Sequence, residues 1–371
     1  MQSQEKKTTV TVIGAGSGGF GLITHLGCAG YGLRLHDLDD TKLAAIRAHG
    51  GVDVENGPRS FAPVDMATTD LAQAVAGAQV IIFVTGGTTH ATLARTIAPF
   101  LEDGQLILLI QGNTGGALVV RQALAQGGCR ATVDLAEMDT YPYATARPAP
   151  TRARLVTSKR WLQIAAFPGH CGTSVFTRLS PLFPEAVLAP HILVTGLTNM
   201  NAVLHVANCV ANAGRIESGG DFRFYAEGVT PAVVNLYQGL DAERLAMAAR
   251  FGVTIPSLPE WLERVYGVRE PSLPTTFQRL TFDALGPYQN TPTPTSLEHK
   301  YMAEDVPTGV VPMSALGRAA GVVTPILDGL VHLASRMAGQ DFAAEARTLD
   351  RLGLANKNVT QILDILEHGF A

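Results

Sequence analysis

The stretch TTVTVIGAGSGGFG, residues 8–21, decides the fold of this chain. Its first part, 8–13, is a continuous run rich in β-branched residues, typical of a strand buried in a parallel sheet. A glycine-rich turn follows at 14–19, and the apolar residues 20–29 favour a helix. A strand, a glycine turn and a helix in this order open a βαβ unit that binds a dinucleotide, so we expect such a cofactor.

The glycine turn matches the pattern G-x-G-x-x-G, and its positions have separate physical reasons. Gly14 permits the tight turn, and Gly16, without a Cβ, lets a pyrophosphate approach the backbone. Ser17 and Gly18 lie in the turn before the helix, whose free N–H groups and dipole attract phosphate. Gly19 allows the helix to pack closely on the strand. These five residues are predicted to bind the cofactor; a glycine-rich turn without a ligand is the alternative.

Asp37 ends the second predicted strand, where a carboxylate can accept hydrogen bonds from the ribose hydroxyls of an adenosine. The same charge repels a 2′-phosphate, and Asp39 and Asp40 add to that repulsion. No basic residue follows before Lys42. The sequence therefore predicts NAD as the cofactor and disfavours NADP. A helix-capping or loop acid is the alternative interpretation of Asp37.

Strands and helices alternate through the first part of the chain. Further buried runs at 78–84 and 105–110 predict strands, and residues 89–98 and 117–125 predict helices. This alternation indicates an α/β fold with a doubly wound parallel sheet, the Rossmann arrangement.

Two polar loops follow these strands, and ligands of open α/β sheets bind outside the carboxyl ends of the strands. We therefore expect Thr85 and Gly86 in the first loop, and Gly112 and Asn113 in the second, to contact the cofactor. For each of these residues a plain tight turn is an equally good interpretation.

The alternation ends after about Met138. Residues 142–150 are proline-rich and predict irregular structure, and residues 154–167 predict a hairpin. Helical patterns then dominate, at 198–213, 230–251, 261–265, 322–337 and 341–352, with a proline- and threonine-rich interruption at 271–294. The prediction is an N-terminal Rossmann domain, residues 1–188, followed by a C-terminal all-helical substrate and catalytic domain, residues 189–371.

The composition excludes several functional classes. A net charge of −4 and the absence of a basic block argue against nucleic acid. No apolar run is long enough to span a membrane, and the polar N-terminus lacks a secretory pattern. The four cysteines are scattered, which argues against disulfides and a metal site and fits the cytoplasm. We expect only small-molecule partners and, as the assembly, a homodimer.

His205 differs from the other histidines because it lies inside a mostly apolar helical pattern. Thr198, Asn201, Asn208 and Asn212 recur at three- and four-residue spacing and share its face. Polar groups on such a face are costly to bury unless they line a wet cavity or are fully hydrogen-bonded. Two interpretations stay open: the wall of a substrate cleft, or a satisfied network in the core.

A second cluster of polar residues is HKYMAEDVPTG, residues 299–309. Glu304 and Asp305 precede a proline turn, so one of them could simply cap it. By itself this cluster is weak evidence of function.

With these motifs in order, the chain resembles the octopine/nopaline (opine) dehydrogenase family over essentially its whole length. The residues that carry the resemblance are VTVIGAGSGGFG (10–21), QGNTGG (111–116), Glu137 with Pro142, Tyr143 and Arg147, NMNAVLH (199–205), GGDFRFYAEG (219–228) with DAER (241–244), and KYMAEDVPTG (300–309). Each later motif is modest alone, but their order and spacing together are fairly specific.

The resemblance implies that His205 is the catalytic acid/base and Asp305 its partner. Enzymes of this family reduce the imine formed between an amino acid and a 2-oxo acid such as pyruvate, with a hydride from NADH. An imidazole can relay the proton because it titrates near neutrality, and a carboxylate on its other nitrogen fixes the tautomer. Lys300 and Arg147 are expected at the two substrate carboxylates, with Asn201 also binding substrate; each cation could instead be a surface charge or a structural ion pair.

Three positions depart from the family pattern. Lys300 stands where the family tends to carry arginine, and lysine cannot form the same bidentate contact. Val206 replaces a proline that often follows the catalytic histidine. Gly86 and Gly87 occur where a proline is usual after the strand that ends at Val84. The last two are expected to alter loop shape more than chemistry.

Two other functions are alternatives to an opine dehydrogenase. One is a ketopantoate or 2-hydroxyacid-type reductase, whose resemblance we expect only in the cofactor domain. The other is a non-catalytic NAD-binding sensor. No acidic cluster awaits a guanidinium, so a neutral or apolar amino acid is favoured as the substrate. Trp261, Phe277 and residues 271–294 either shape its pocket or belong to the core and linker.

Overall fold

The computed structural model describes residues 7–282 and 288–370, and a mixed sheet of eight strands forms the centre of this part. The strands in chain order are β1 (Thr9–Ile13), β2 (Gly32–His36), β3 (Gly51–Glu55), β4 (Phe61–Pro63), β5 (Met66–Thr68), β6 (Val80–Phe83), β7 (Leu106–Leu109), β8 (Asp134–Met138), β9 (Tyr143–Ala149), β10 (Arg152–Ser158), β11 (Leu162–Ala166) and β12 (Ala186–Leu188). The order across the main sheet is β12-β11-β8-β7-β6-β1-β2-β5. Its neighbours pair in parallel except β8 and β11. The predicted doubly wound sheet is confirmed.

Helices follow the strands and then take over the chain. They are α1 (Ser17–Ala29), α2 (Asp40–His49), α3 (Leu71–Val75), α4 (His90–Ile97), α5 (Gly116–Gln126), α6 (Gly172–Leu179), α7 (Ile192–Leu197), α8 (Met200–Ala211), α9 (Ala213–Glu217), α10 (Pro231–Arg250), α11 (Leu258–Tyr266), α12 (Leu273–Phe282), α13 (Lys300–Ala303), α14 (Val311–Ala320), α15 (Pro325–Ala338), α16 (Phe342–Glu345) and α17 (Val359–His368). A π-helical turn, Val306–Val310, joins α13 to α14. The last strand of the main sheet ends at Leu188, and the C-terminal half is helical as predicted.

Two apolar cores hold the sheet between layers. On one face α1 packs beneath a second sheet of four strands, in the order β4-β3-β10-β9. On the other face, side chains such as Phe83 and Leu109 share one buried cluster with Leu197 and Val203 of the helical half. Because this cluster is continuous, the helical half is fixed against the sheet by apolar burial. No helix in the described ranges is long and apolar enough to cross a membrane.

The hairpin predicted at 154–167 is wrong. The hairpin is formed by β9 and β10 in the second sheet, and β11 leaves it to pair with β8 in the main sheet. The prolines at 142–150 made this stretch look irregular. However, β9 is an edge strand of its sheet, where a proline needs no ladder hydrogen bond.

The helix predicted at 341–352 is also mostly wrong. Helix α16 ends at Glu345, and Ala346 is extended (φ −71°, ψ 167°). The chain then turns so that Arg347 reaches the loops of the sheet. The predicted interruption at 271–294 contains α12, and residues 283–287 of it lie outside the described part.

The C-terminal helix returns to the N-terminal half. The backbone carbonyl of Glu367 in α17 bonds to His170 Nδ1 at 2.8 Å. The ring of Phe370 packs on Phe167 with centroids 5.5 Å apart. The chain therefore crosses between the two halves once before α7 and again before α17.

Candidate active site

The glycine turn has the shape that a phosphate cradle requires. Gly14 has φ +119°, and a Cβ on Gly19 would lie 1.9 Å from the carbonyl oxygen of Gly14. A Cβ on Gly16 would meet no atom within 4 Å, so the space before this residue is open. Ser17 begins α1 beside that space, with its side chain exposed. The residues present therefore fit a dinucleotide pyrophosphate at the N-terminus of α1.

Gly18 has a partner that the sequence pattern did not reveal. A Cβ at this position would lie 2.8 Å from the ring of Tyr141, which follows the main-sheet strand β8. Burial raises the pKa of the Tyr141 hydroxyl, and the negative charges of Glu304 and Asp305 raise it further. Tyr141 therefore packs against the glycine turn at Gly18.

Asp37 accepts hydrogen bonds from the N–H groups of Ala15 (2.8 Å) and Asp39 (3.0 Å). Its carboxylate also pairs with Lys42 Nζ at 3.1 Å. Burial alone would raise the pKa of Asp37, but these hydrogen bonds and the ion pair lower it. Asp37 thus holds the glycine turn as an ionised acceptor, while Lys42 partly offsets its charge.

The loop after β6 binds the helical half. The hydroxyl of Thr89 donates to Thr85 Oγ1 (2.9 Å) and to the carbonyl of Gly86 (2.7 Å), which shapes the turn. The N–H of Gly87 donates to Glu304 Oε1 at 2.8 Å. A Cβ on Gly86 would approach Glu304 Oε2 to 3.1 Å. Gly86 therefore leaves room for the carboxylate of Glu304, and Gly87 provides the N–H that binds it.

The loop after β7 is fixed in a similar way. A Cβ on Gly112 would collide with Glu137, 2.6 Å away. Asn113 has φ +56°, and its Nδ2 donates to Thr308 Oγ1 (3.0 Å) and more weakly to Glu304 Oε1 (3.4 Å). Both loops that were predicted to meet the cofactor are thus anchored by residues of the segment 304–308.

Arg347 is the buried centre of this junction, and no sequence motif marked it. Its guanidinium donates to the carbonyls of Gly87 (2.8 Å), Gly112 (2.7 Å) and Thr114 (3.1 Å). Burial lowers the pKa of Arg347 to about 10, so it stays charged at neutral pH. Burial and the charge of Arg347 lower the pKa of His90 beside it to about 3, so this histidine is neutral.

Glu137, one of the residues behind the family resemblance, is fully buried. It accepts hydrogen bonds from the N–H of Ala117 (2.9 Å) and the hydroxyl of Thr195 (2.7 Å). Burial raises the pKa of Glu137 to about 7 although both bonds oppose the shift. Its contacts join the start of α5 to α7, which assigns it to the support of the loop after β7.

His205 and Asp305 meet in the structure. His205 Nδ1 lies 2.7 Å from Asp305 Oδ2, and the two side chains are 12% and 6% exposed. The ring of Tyr301 stacks on the imidazole with centroids 3.9 Å apart. An ionised carboxylate at Nδ1 places the ring proton there and leaves Nε2 for a substrate. Within residues 7–282 and 288–370, no group forms a hydrogen bond to Nε2.

The polar face of α8 divides into two parts, so both interpretations of it apply. Asn208 donates to the carbonyl of Phe224 (2.8 Å), and Asn212 to that of Gly228 (3.0 Å). These amides form a satisfied network in the core. Thr198 likewise bonds within its own helical turn.

The other part of this face meets the loop after β7. Asn201 Nδ2 donates to Gln111 Oε1 (3.0 Å), and Gln111 Nε2 donates to Asn199 Oδ1 (2.8 Å). Asn201 lies one helical turn from His205, so this amide pair adjoins the dyad.

The two predicted carboxylate-binding cations lie in different places. Lys300 is exposed at the start of α13, directly before Tyr301. Arg147 donates to the carbonyls of Ala15 (3.3 Å) and Pro150 (3.2 Å), with its guanidinium 4.3 Å from the ring of Phe20. The structure therefore places Arg147 at the glycine turn and does not bring it to the dyad.

Trp261 and Phe277 belong to the core, since each is 3% exposed. They join a cluster of aromatic rings in the helical half. Tyr225 and Phe224 of this cluster lie 6.3 Å and 6.4 Å from the ring of His205. The core packed around the imidazole is thus aromatic.

Comparison with known proteins identifies the relatives of this chain. Residues 188–338 match the family described as NAD/NADP octopine/nopaline dehydrogenase, alpha-helical domain. An opine dehydrogenase from Arthrobacter sp. (strain 1C) is 34% identical over 97% of this chain and 99% of its own length.

Two solved structures share the fold. Octopine dehydrogenase in complex with NADH and agmatine superposes with a TM-score of 0.77 at 19% identity, over 96% of this chain and 98% of that one. A PanE/ApbA family ketopantoate reductase from Ralstonia eutropha JMP134 gives 0.57 at 20% identity, over 89% and 98%. The likeness to the reductase class, expected only in the cofactor domain, therefore extends in fold through the helical half. With a full-length relative at 34% identity, this chain belongs to the opine dehydrogenase family.

Proposed function

We propose that this chain is an NAD-dependent opine dehydrogenase, which condenses an amino acid with a 2-oxo acid and reduces the resulting imine. The observation that carries the proposal is the buried His205–Asp305 hydrogen bond of 2.7 Å, with His205 Nε2 left for a substrate. The dyad stands beside two loops at the carboxyl ends of β6 and β7, where ligands of such sheets bind.

The cofactor would be held by residues of the N-terminal half. The open space before Gly16 and the N-terminus of α1 suit the pyrophosphate, and Asp37 suits the adenosine ribose. The loops with Thr85–Gly86 and Gly112–Asn113 suit the nicotinamide end. Bound there, NADH would supply the hydride for the imine carbon. The contacts of Arg147 with the glycine turn support a role near the phosphates rather than at a substrate carboxylate.

His205 holds or releases a proton at Nε2 while Asp305 fixes the proton on Nδ1. The carboxylate also stabilises the imidazolium, because the two charges are close and shielded from water. Lys300, next to the stacked Tyr301, is the cation we propose for a substrate carboxylate, and Asn201 for a polar contact beside it. The half-buried ring of Tyr301, stacked on the imidazole and backed by the buried rings of Phe224 and Tyr225, supports a neutral or apolar amino acid as the substrate.

The experiment that tests this function is a matrix of amino acids against 2-oxo acids, followed by NADH absorbance. We expect NADH oxidation only when both substrates are present, with pyruvate or a similar 2-oxo acid and an apolar amino acid among the best pairs. Full turnover with a 2-oxo acid alone would instead identify a ketopantoate or 2-hydroxyacid-type reductase. Tight NADH binding without turnover for any pair would identify a sensor.

Cofactor choice is tested at Asp37. In Asp37→Asn the repulsion of a 2′-phosphate is lost and the ribose acceptor is weakened, so NADH affinity should fall about tenfold while NADPH affinity rises. Fluorescence titration with both cofactors measures the change. Asp364→Asn removes an exposed carboxylate of α17 that pairs with His368 and serves as the matched control. An unchanged ratio of the two affinities in Asp37→Asn would contradict the assignment of NAD.

We also propose that the protein is located in the cytoplasm and forms a homodimer. Four free cysteines, scattered through the described residues, support the cytoplasm, where thiols stay reduced. A homodimer stays a prediction that analytical ultracentrifugation would test.

A further inference from the structure

The segment that carries Asp305 is attached to the cofactor half on both sides of this residue. Before it, Glu304 Oε1 accepts the N–H of Gly87 at 2.8 Å. After it, the carbonyl of Thr308 accepts the N–H of Thr114 at 3.0 Å, and Thr308 Oγ1 accepts Asn113 Nδ2 at 3.0 Å. Asp305 is thus held relative to the loops after β6 and β7, although its chain segment belongs to the helical half.

Glu304 and Asp305 point their carboxylates in different directions. Asp305 reaches His205 on α8, whereas Glu304 reaches the loop after β6. One short stretch of backbone therefore connects the acid/base group to the loop where the nicotinamide end is proposed to bind. Because these two contacts come from adjacent residues, a shift of one carboxylate moves the other.

Glu304 is held there at some electrostatic cost. Burial and the neighbouring charge of Asp305 raise the pKa of Glu304, and the hydrogen bonds from Gly87 and Asn113 oppose that shift. Placing one carboxylate beside another does not by itself stabilise the fold, because the two negative charges repel each other. The contact of Glu304 with the loop also depends on two glycines. Gly86 has no Cβ that would crowd the carboxylate, and Gly87 has an N–H that a proline would lack.

We propose that Glu304 is a positioning residue for the reaction: its bond to the Gly87 N–H sets the distance between the His205–Asp305 dyad and the cofactor loop. The inference rests on the proposed function, because it assigns Glu304 to that same chemistry. We expect the rate to depend on the hydrogen bond between Glu304 and the Gly87 N–H and not on the negative charge of Glu304. Glutamine keeps an oxygen acceptor at the same reach, whereas aspartate keeps the charge but is one methylene too short.

The test compares Glu304→Gln, Glu304→Asp and Glu304→Ala, using the best substrate pair of the wild-type enzyme. We expect kcat to fall about 10- to 100-fold in Glu304→Ala and Glu304→Asp, since a displacement of about 1 Å costs that much. Glu304→Gln should stay within about fivefold of wild type, and KM for NADH within about threefold in all three. Glu298→Gln, an exposed carboxylate in the preceding segment, is the matched control.

The reverse order would overturn the proposal. If Glu304→Asp is nearly as active as wild type and Glu304→Gln as poor as Glu304→Ala, the charge and not the bond is what matters. A loss that appears entirely in the KM for NADH would also overturn it, because Glu304 would then serve cofactor binding.

A second measurement does not depend on turnover. Hydrogen–deuterium exchange of the peptide that contains Gly87 should be faster in Glu304→Ala and Glu304→Asp than in wild type or Glu304→Gln, without cofactor. Equal exchange in all four proteins would show that Glu304 does not fix this loop and would overturn the proposal. If no substrate pair supports turnover in wild type, the proposed function fails, while this exchange experiment still decides whether Glu304 anchors the loop.

Discussion

Replacement of His205 by glutamine is expected to lower kcat by about two to four orders of magnitude, the usual share of a positioned acid/base group. Glutamine fills similar space and can still donate to Asp305, but it cannot exchange a proton at the position of Nε2. NADH affinity should stay within about twofold, because in the proposed arrangement His205 acts on the substrate. Stopped-flow absorbance of NADH separates binding from the chemical step.

Asp305→Asn tests the other half of the dyad. The amide can hold the ring only by accepting from Nδ1 with its oxygen, and it no longer stabilises the imidazolium, so we expect a loss of about tenfold or more. His332→Gln is the matched control for His205→Gln, since this exposed histidine bonds to the carbonyl of Asp328 in its own helix and to no other group in the described residues. Full activity of His205→Gln with both substrates would show that the His205–Asp305 dyad does not take part in the reaction.

Arg347→Met is expected to lower the free energy of unfolding by about 3 kcal/mol, since a buried hydrogen-bond acceptor left unsatisfied costs about 1–3 kcal/mol. The carbonyls of Gly87, Gly112 and Thr114 lose a common donor, and methionine fills the space without replacing a hydrogen bond. Urea denaturation measures the stability. Because the same loops are proposed to hold the cofactor, NADH affinity should fall as well.

Arg351→Met is the control for Arg347. Arg351 is exposed and donates to one carbonyl, that of Ala346, at 3.2 Å, so its loss should cost less than about 0.5 kcal/mol. If both variants have the same stability as wild type, the loops do not depend on Arg347. If Arg347→Met loses stability but keeps the NADH affinity of wild type, Arg347 stabilises the loops without affecting cofactor binding.

The sequence predicted those parts of the molecule that depend on local patterns. The β-branched run before Gly14 and the glycine spacing are properties of adjacent residues, and they predicted the sheet and the tight turn after β1 correctly. The spacing of the polar residues on α8 predicted a helix face that either lines a substrate cleft or forms a hydrogen-bonded network in the core. It could not say that Asn208 would find backbone carbonyls while Asn201 would meet Gln111, since these partners come from other segments.

The rest depends on contacts between distant residues. Glu304 and Gly87 are 217 positions apart, and Arg347 binds carbonyls up to 260 positions away. Every residue has a carbonyl, so a site that binds arginine through carbonyls leaves no side-chain pattern in the sequence. The hairpin error at 154–167 has the same cause, because only the sheet shows that β9 is an edge strand that tolerates proline.

The return of α17 to the N-terminal half limits how this enzyme can move. Two lobes joined by one linker can swivel in any direction, whereas lobes joined by two separate passages of the chain share an axis through both. Because the shared apolar cluster also fixes the two halves together, any relative motion of them would be a small rotation about the line between the segment before α7 and the segment before α17. Residues far from that line would travel furthest, and those near it would keep their contacts throughout.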